Sequence, residues 1–297
     1  MSLNERDVHA LLDVTHAGAG PRRRGLLRGA LGLGYAAAAG PLVAQTAIKT
    51  PADGLVAGDV QIPVGAETIP AYRAAPAGRV GLPVVLVLSE IFGVHEYIAD
   101  TARRFARAGY LALAPELFVR QGDPSSYGEM ARLLAEVVAK VPDEQVARDL
   151  DACLDWAVAH GGDGQRAAVT GFCWGGRQTW LYAAHSPRLK AAVAWYGRLE
   201  GERTALQPRH PIDVVNQLKA PVLGLYGGAD TGIPLASVER MQAALAQGNA
   251  AARASRFVVY PDAPHAFHAD YRPTYRAEPA ADAWRRCLAW FAQHGAV

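Results

Sequence analysis

The sequence predicts an α/β fold with a mostly parallel central sheet and helices on both of its faces. Three observations point there. The run Val84-Val85-Leu86-Val87-Leu88 is apolar without alternation, as suits a strand buried on both faces. Strand-like runs then alternate with helical patterns, the order that joins parallel strands through crossover helices. The chain has 297 residues, 51% of them hydrophobic, enough for the core such a sheet needs.

The elements follow in order. Val56 to Val64 and Ile69 to Ala74 read as an early strand pair joined by a turn near Gly65-Ala66. After Val84 to Leu88 comes a helical pattern from Tyr97 to Ala108, then a strand from Tyr110 to Ala114 closed by Pro115. Helices are expected over Tyr127 to Lys140 and Asp143 to His160, a strand over Arg166 to Thr170, and a helix over Arg177 to His185. Strands at Lys190 to Trp195, Val222 to Tyr226 and Arg256 to Tyr260, with helices at Leu235 to Gln247 and Ala280 to Gln293, complete the chain. Neither an internal repeat nor an interdomain linker interrupts residues 48–297, so a single domain is expected there.

Residues 1–47 read differently. Arg22-Arg23-Arg24-Gly25-Leu26-Leu27-Arg28 precedes an Ala/Gly/Leu stretch without charge from Gly29 to Ile48, the order of an export signal. Its Arg23-Arg24 block resembles the twin-arginine motif, with Arg22 where Ser or Thr is more usual. Ala44 and Ala47 are both candidate cleavage points. The expected location is the periplasm, with anchoring by an uncleaved signal as the alternative; stable membrane insertion after export is not expected.

The formal charge of +2 comes from this front segment, where five arginines face three acids; the remainder holds as many basic as acidic residues. A neutral body gives no electrostatic reason to expect nucleic acid as a partner. The three cysteines lack paired spacing, against a disulfide framework or a Cys-x-x-Cys metal site. Cys153 and Cys287 lie on apolar helical faces and read as core. Cys173 does not.

The strand Ala167-Ala168-Val169-Thr170 runs into Gly171-Phe172-Cys173-Trp174-Gly175-Gly176 and then into a helix. This is the context of a nucleophile elbow, with Cys in place of Ser. Glycines two residues to either side let strand and helix approach, and the helix N-terminus favours a thiolate or a developing oxyanion. Asp230 follows the strand Val222 to Tyr226, and His265 follows the strand Arg256 to Tyr260. Nucleophile, acid and histidine thus come in the order α/β-hydrolases use, each past a strand's C-terminal end. Taken singly, Asp230 also suits a helix N-cap before Ile233-Pro234, and His265 a capping or core histidine. The spacing His265-x-x-His268 suits a metal, but no third ligand is evident, and neither metal nor cofactor is expected.

Over roughly Val84 to Phe291 the chain resembles the dienelactone hydrolase (carboxymethylenebutenolidase) family. The resemblance is carried by Ser89-Glu90-Ile91-Phe92-Gly93-Val94, by Gly109 to Leu117, by Gly171 to Gly176, and by Pro264-His265-Ala266-Phe267. It implies an α/β-hydrolase that cleaves lactone or small carboxylic ester bonds, with Cys173 attacking the carbonyl, His265 moving protons and Asp230 orienting the imidazole. It further implies that backbone N–H groups of Ile91 and Trp174 form the oxyanion hole and that Glu90 gates the thiol. The family holds its substrate carboxylate with arginines, one of them four residues past the histidine, where this chain has Ala269. Arg272 is the candidate replacement, against the alternative of a surface arginine, and Phe92, Trp174, Tyr127 and Tyr196 are candidates for an apolar pocket. Two other readings stay open: a broader esterase or thioesterase on the same scaffold, and a non-catalytic exported binding protein.

Overall fold

The computed structural model describes residues 47–297, so the expected export signal lies outside the described residues but for Ala47. Eight strands form one sheet: β1 (Leu55–Val64), β2 (Glu67–Pro76), β3 (Leu82–Leu88), β4 (Leu111–Pro115), β5 (Gly162–Phe172), β6 (Leu189–Trp195), β7 (Val222–Gly227) and β8 (Arg256–Tyr260). Their order is β1-β2-β4-β3-β5-β6-β7-β8. The β1/β2 hairpin and the β2/β4 pair are antiparallel, and every pairing from β4 through β8 is parallel. Val84 to Leu88 are all 0% exposed, so both faces of the sheet are covered there, as their unbroken apolar run requires.

The covering helices are α1 (Glu96–Arg107), α2 (Met130–Glu136), α3 (Asp143–Ala159), α4 (Trp174–His185), α5 (Leu235–Ala246), α6 (Ala250–Ala254) and α7 (Ala277–Gln293). Phe105 of α1 packs against Trp284 and Phe291 of α7, while α3 joins α4 through Asp143–Arg177 and Asp151–Tyr182. Cys153 and Cys287 are fully buried in this packing, and burial pushes both thiols well up. Among the described residues no helix is long and apolar enough to cross a membrane.

Several expected boundaries move: β5 begins at Gly162 rather than Arg166 and α7 at Ala277 rather than Ala280, and two further changes have a physical cause in view. The helix expected over Tyr127 to Lys140 is instead α2 followed by a 3-10 turn at Val138–Lys140. Val137 and Val138 are both buried; this adjacent β-branched pair suits the tighter turn better than a continuing α-helix. Helix α4 begins at Trp174 rather than Arg177, so the two glycines that weaken a helix in isolation sit in its first turn. Close packing overrides their propensity.

The chain crosses to opposite sides of β3 on the way to β4 and to β5, which makes the C-terminal ends of β3 and β5 the topological switch point, where open α/β sheets gather their ligands. The loop from Ser89 to His95 leaves β3 there, and Cys173 leaves β5 beside it.

Candidate active site

Cys173 caps the N-terminus of α4 with φ 54° and ψ −112°, a left-handed conformation costly for a residue with a Cβ. The neighbours hold it there. Its N–H donates to Trp195 O at 3.0 Å, and the N–H of Gly175 donates to Ser89 O at 3.1 Å. A Cβ on Gly175 would lie 2.5 Å from the carbonyl oxygens of Leu88 and Ser89, and one on Gly176 would lie 2.5 Å from Trp195 O. The elbow is therefore pressed directly onto the end of β3 and the end of β6. Trp174 is the first residue of α4, where an N–H has no acceptor within its own helix.

Asp230 and His265 meet as the spacing predicts. Asp230 Oδ2 lies 2.7 Å from His265 Nδ1, while Oδ1 accepts the N–H groups of Gly232 at 2.9 Å and Ile233 at 3.0 Å. The carboxylate thus fixes its own loop with one oxygen and the imidazole with the other; it does not cap α5, whose N-cap is Pro234. The other ring nitrogen, Nε2, is buried without a hydrogen-bond partner among the described residues. Burial by itself lowers the basicity of His265, but the negative charges of Cys173 and Asp230 outweigh it and push the ring up to about 10. All three predicted residues converge.

Glu90 is 1% exposed, beside the elbow. Its Oε2 accepts from Tyr271 OH at 2.6 Å, and its Oε1 lies 3.8 Å from Arg272 Nη1. Its observed partners are thus Tyr271 and Arg272. The surface alternative for Arg272 is corrected: its side chain is 11% exposed and turned inward, with the guanidinium carbon 6.0 Å from the centre of the Phe92 ring. Tyr271, in the same stretch as Arg272, is the residue that reaches Glu90 most closely. The apolar candidates divide. Tyr196 is fully buried with its ring centre 5.1 Å from that of His265, Trp174 packs on Phe118 at 4.6 Å, and Tyr127 lies instead against Arg132.

Behind the triad, Tyr97 OH and His268 Nδ1 are 2.6 Å apart, which gives His268 a structural partner in place of a metal. Burial first, and then Arg104, lower His268 to about 3, so the ring stays neutral. Arg104 bridges Asp100 and Asp270 at 2.6 and 2.5 Å, tying α1 to the segment after His265. Residues near the front of the described chain join this cluster: Thr50 N–H donates to Asp100, and Thr50 O accepts from Arg103 Nε at 2.9 Å. A separate cleft of about 500 Å³ lies between Arg198 to Glu202 and Gly232 to Pro234, flanking the Asp230 loop but lined by neither Cys173 nor His265.

The comparisons with known proteins bear on the family. A sequence model of the dienelactone hydrolase family matches residues 69–295. The chain is 57% identical over 274 residues to a protein of Methylorubrum extorquens named "Putative carboxymethylenebutenolidase", covering 92% of this chain and 93% of that one. It is 32% identical over 238 residues to a Bradyrhizobium protein named "Probable 2-oxo-3-(5-oxofuran-2-ylidene)propanoate lactonase", covering 79% and 93%. Among solved structures, one titled as a putative dienelactone hydrolase from Klebsiella pneumoniae superposes with a TM-score of 0.78 at 56% identity, covering 80% of this chain and 99% of that one.

Proposed function

The chain belongs to the dienelactone hydrolase family and is a lactone or ester hydrolase, and we propose that it works through a Cys173-His265-Asp230 triad and an acyl-enzyme intermediate. The observation that carries this reading is the convergence of a strained cysteine at a helix N-terminus with a histidine already held by a carboxylate. In the reaction, the Cys173 thiolate attacks the carbonyl carbon, and the π electrons move to oxygen. The N–H groups of Ile91 and Trp174 receive that oxyanion. Collapse breaks the bond to the leaving oxygen, which takes a proton from the His265 imidazolium; in a lactone this oxygen stays attached to the acyl group. Water then attacks the thioester, His265 accepts its proton, and the acid departs as the thiolate re-forms.

Glu90 serves in this scheme as the gate of the thiol, its carboxylate shared with Tyr271 and Arg272 between turnovers. Arg272 takes the role of carboxylate binder, in place of the arginine absent at Ala269. The relatives' names favour an unsaturated lactone carrying a carboxylate as substrate class. Export by the twin-arginine route, with residues 48–297 forming one domain, is the corresponding proposal for the chain's organisation, and it rests on the sequence of residues 22–48.

The test is hydrolysis of p-nitrophenyl acetate and of a dienelactone by the purified chain and by Cys173→Ala, with mass spectrometry of the acylated protein. Acyl mass on a peptide containing Cys173, and loss of turnover in the variant, support the reading. Turnover that survives Cys173→Ala refutes it.

A further inference from the structure

We propose that Glu116 is a positioning residue for hydrolysis: its side chain fixes the loop that carries Ile91 and Glu90 at the end opposite the elbow. The inference rests on the reading of Ile91 as an oxyanion donor. The loop leaves β3 at Ser89, whose carbonyl is held by Gly175 N–H at 3.1 Å, and enters α1 after His95. Between those points lie Glu90, Ile91 and Phe92, none of them in a helix or strand. A loop pinned at one end can pivot.

The second pin is Glu116. Its Oε2 accepts the N–H of Val94 at 2.8 Å, and Gly93 has φ +73° with its α-carbon so close that a Cβ there would lie 2.6 Å from Oε1. The carboxylate therefore occupies the space beside Gly93 and grips the residue after it. Glu116 is itself fixed, since its own N–H donates to Pro70 O of β2 at 2.9 Å. Two residues on, Phe118 packs against Trp174 with ring centres 4.6 Å apart. One short segment after β4 thus backs both oxyanion donors, Ile91 through Glu116 and Trp174 through Phe118. Their separation is set from behind, by a side chain that touches neither substrate nor thiol.

Steady-state kinetics of the full chain on p-nitrophenyl acetate test this, with Glu116→Ala, Glu116→Gln and Gly93→Ala, each checked for native circular dichroism. Glu116→Ala and Gly93→Ala are expected to lower kcat by about tenfold or more, the cost of a misaimed donor, while KM changes by less than about threefold. Glu116→Gln keeps a carbonyl acceptor of the same reach and is expected to stay within about threefold of the parent. Wild-type kcat in Glu116→Ala or in Gly93→Ala, or a Gln variant as impaired as the Ala variant, overturns the proposal. Should Glu116→Ala not fold, the contrast between Glu116→Gln and Gly93→Ala decides alone. Failure of the triad reading looks different: the wild-type enzyme would then form no acyl adduct on Cys173.

Discussion

Replacing Asp230 with Asn tests the triad at the point where the structure dictates the outcome most sharply. In the native loop, Oδ1 is committed to the N–H groups of Gly232 and Ile233, which only an acceptor can satisfy. An asparagine must therefore keep its carbonyl on that side and turn its NH2 toward His265 Nδ1. That nitrogen then has to accept, which moves the imidazole proton to Nε2 and leaves no base facing Cys173. His265 rises from 6.5 to about 10 even after burial has lowered it, a net stabilisation of the imidazolium of about 5 kcal/mol. Two anions, Cys173 and Asp230, produce that rise; losing one of them together with the base that faces Cys173 is expected to lower kcat/KM by about a hundredfold, the usual scale of a general-base contribution. The assay is kcat/KM for p-nitrophenyl acetate together with the iodoacetamide alkylation rate, both followed across the neutral range. A variant within about threefold of the parent, with an unchanged pH profile, would refute the argument.

Three other outcomes are expected. Burial, with a contribution from Asp123, raises Glu116 from 4.5 to about 7, so the folded state holds this proton more tightly than the unfolded chain. That stabilisation is complete below 4.5 and is lost as pH rises through 7, about 3 kcal/mol in all. Urea unfolding should therefore show Glu116→Gln gaining on the parent by that amount between pH 4.5 and pH 8; parallel curves would contradict it. Arg272→Met should raise KM for a carboxylate-bearing lactone by about tenfold or more, and by more than it raises KM for p-nitrophenyl acetate, read from initial rates; equal effects on the two substrates would contradict it. Gly175→Ala, which drives a Cβ to 2.5 Å from Leu88 O and Ser89 O, should destabilise the fold by about 2 kcal/mol or more in the same urea titration.

The sheet, and the meeting of Asp230 with His265, were legible for physical reasons. Strands such as Val84 to Leu88 are buried on both faces, so their composition alone marks them, and Cys173, Asp230 and His265 each follow a strand of the parallel sheet, past its C-terminal edge; β8, before His265, is a half-exposed edge strand. What the sequence concealed is set by tertiary contact. Helix α4 starts three residues earlier than its glycines suggest, because those glycines are there to meet Leu88, Ser89 and Trp195. Tyr271 and Arg272 sit in an irregular segment whose direction depends on the hydrogen bond to Glu90 and the Arg104–Asp270 ion pair, partners 166 to 181 residues distant in sequence. Glu116 stands in the sequence only as part of the block Gly109 to Leu117. Its meaning lies in Gly93 and Val94, which no local pattern connects to it.

The contact of Thr50 with α1 also bears on the proposed export signal, because it limits how far into the chain a cleavage could fall without loss of structure. A cut after Ala44 or Ala47 leaves Thr50 in place, its N–H on Asp100 and its carbonyl under Arg103. A cut beyond Thr50 would leave Asp100 and Arg103 without these backbone partners, in the same ion cluster that reaches Asp270 and the segment after His265. Residues 50 and 51 thereby belong to the fold, since Arg107 also donates to Pro51 O. Trimming there would reach the active site without touching any residue that lines it.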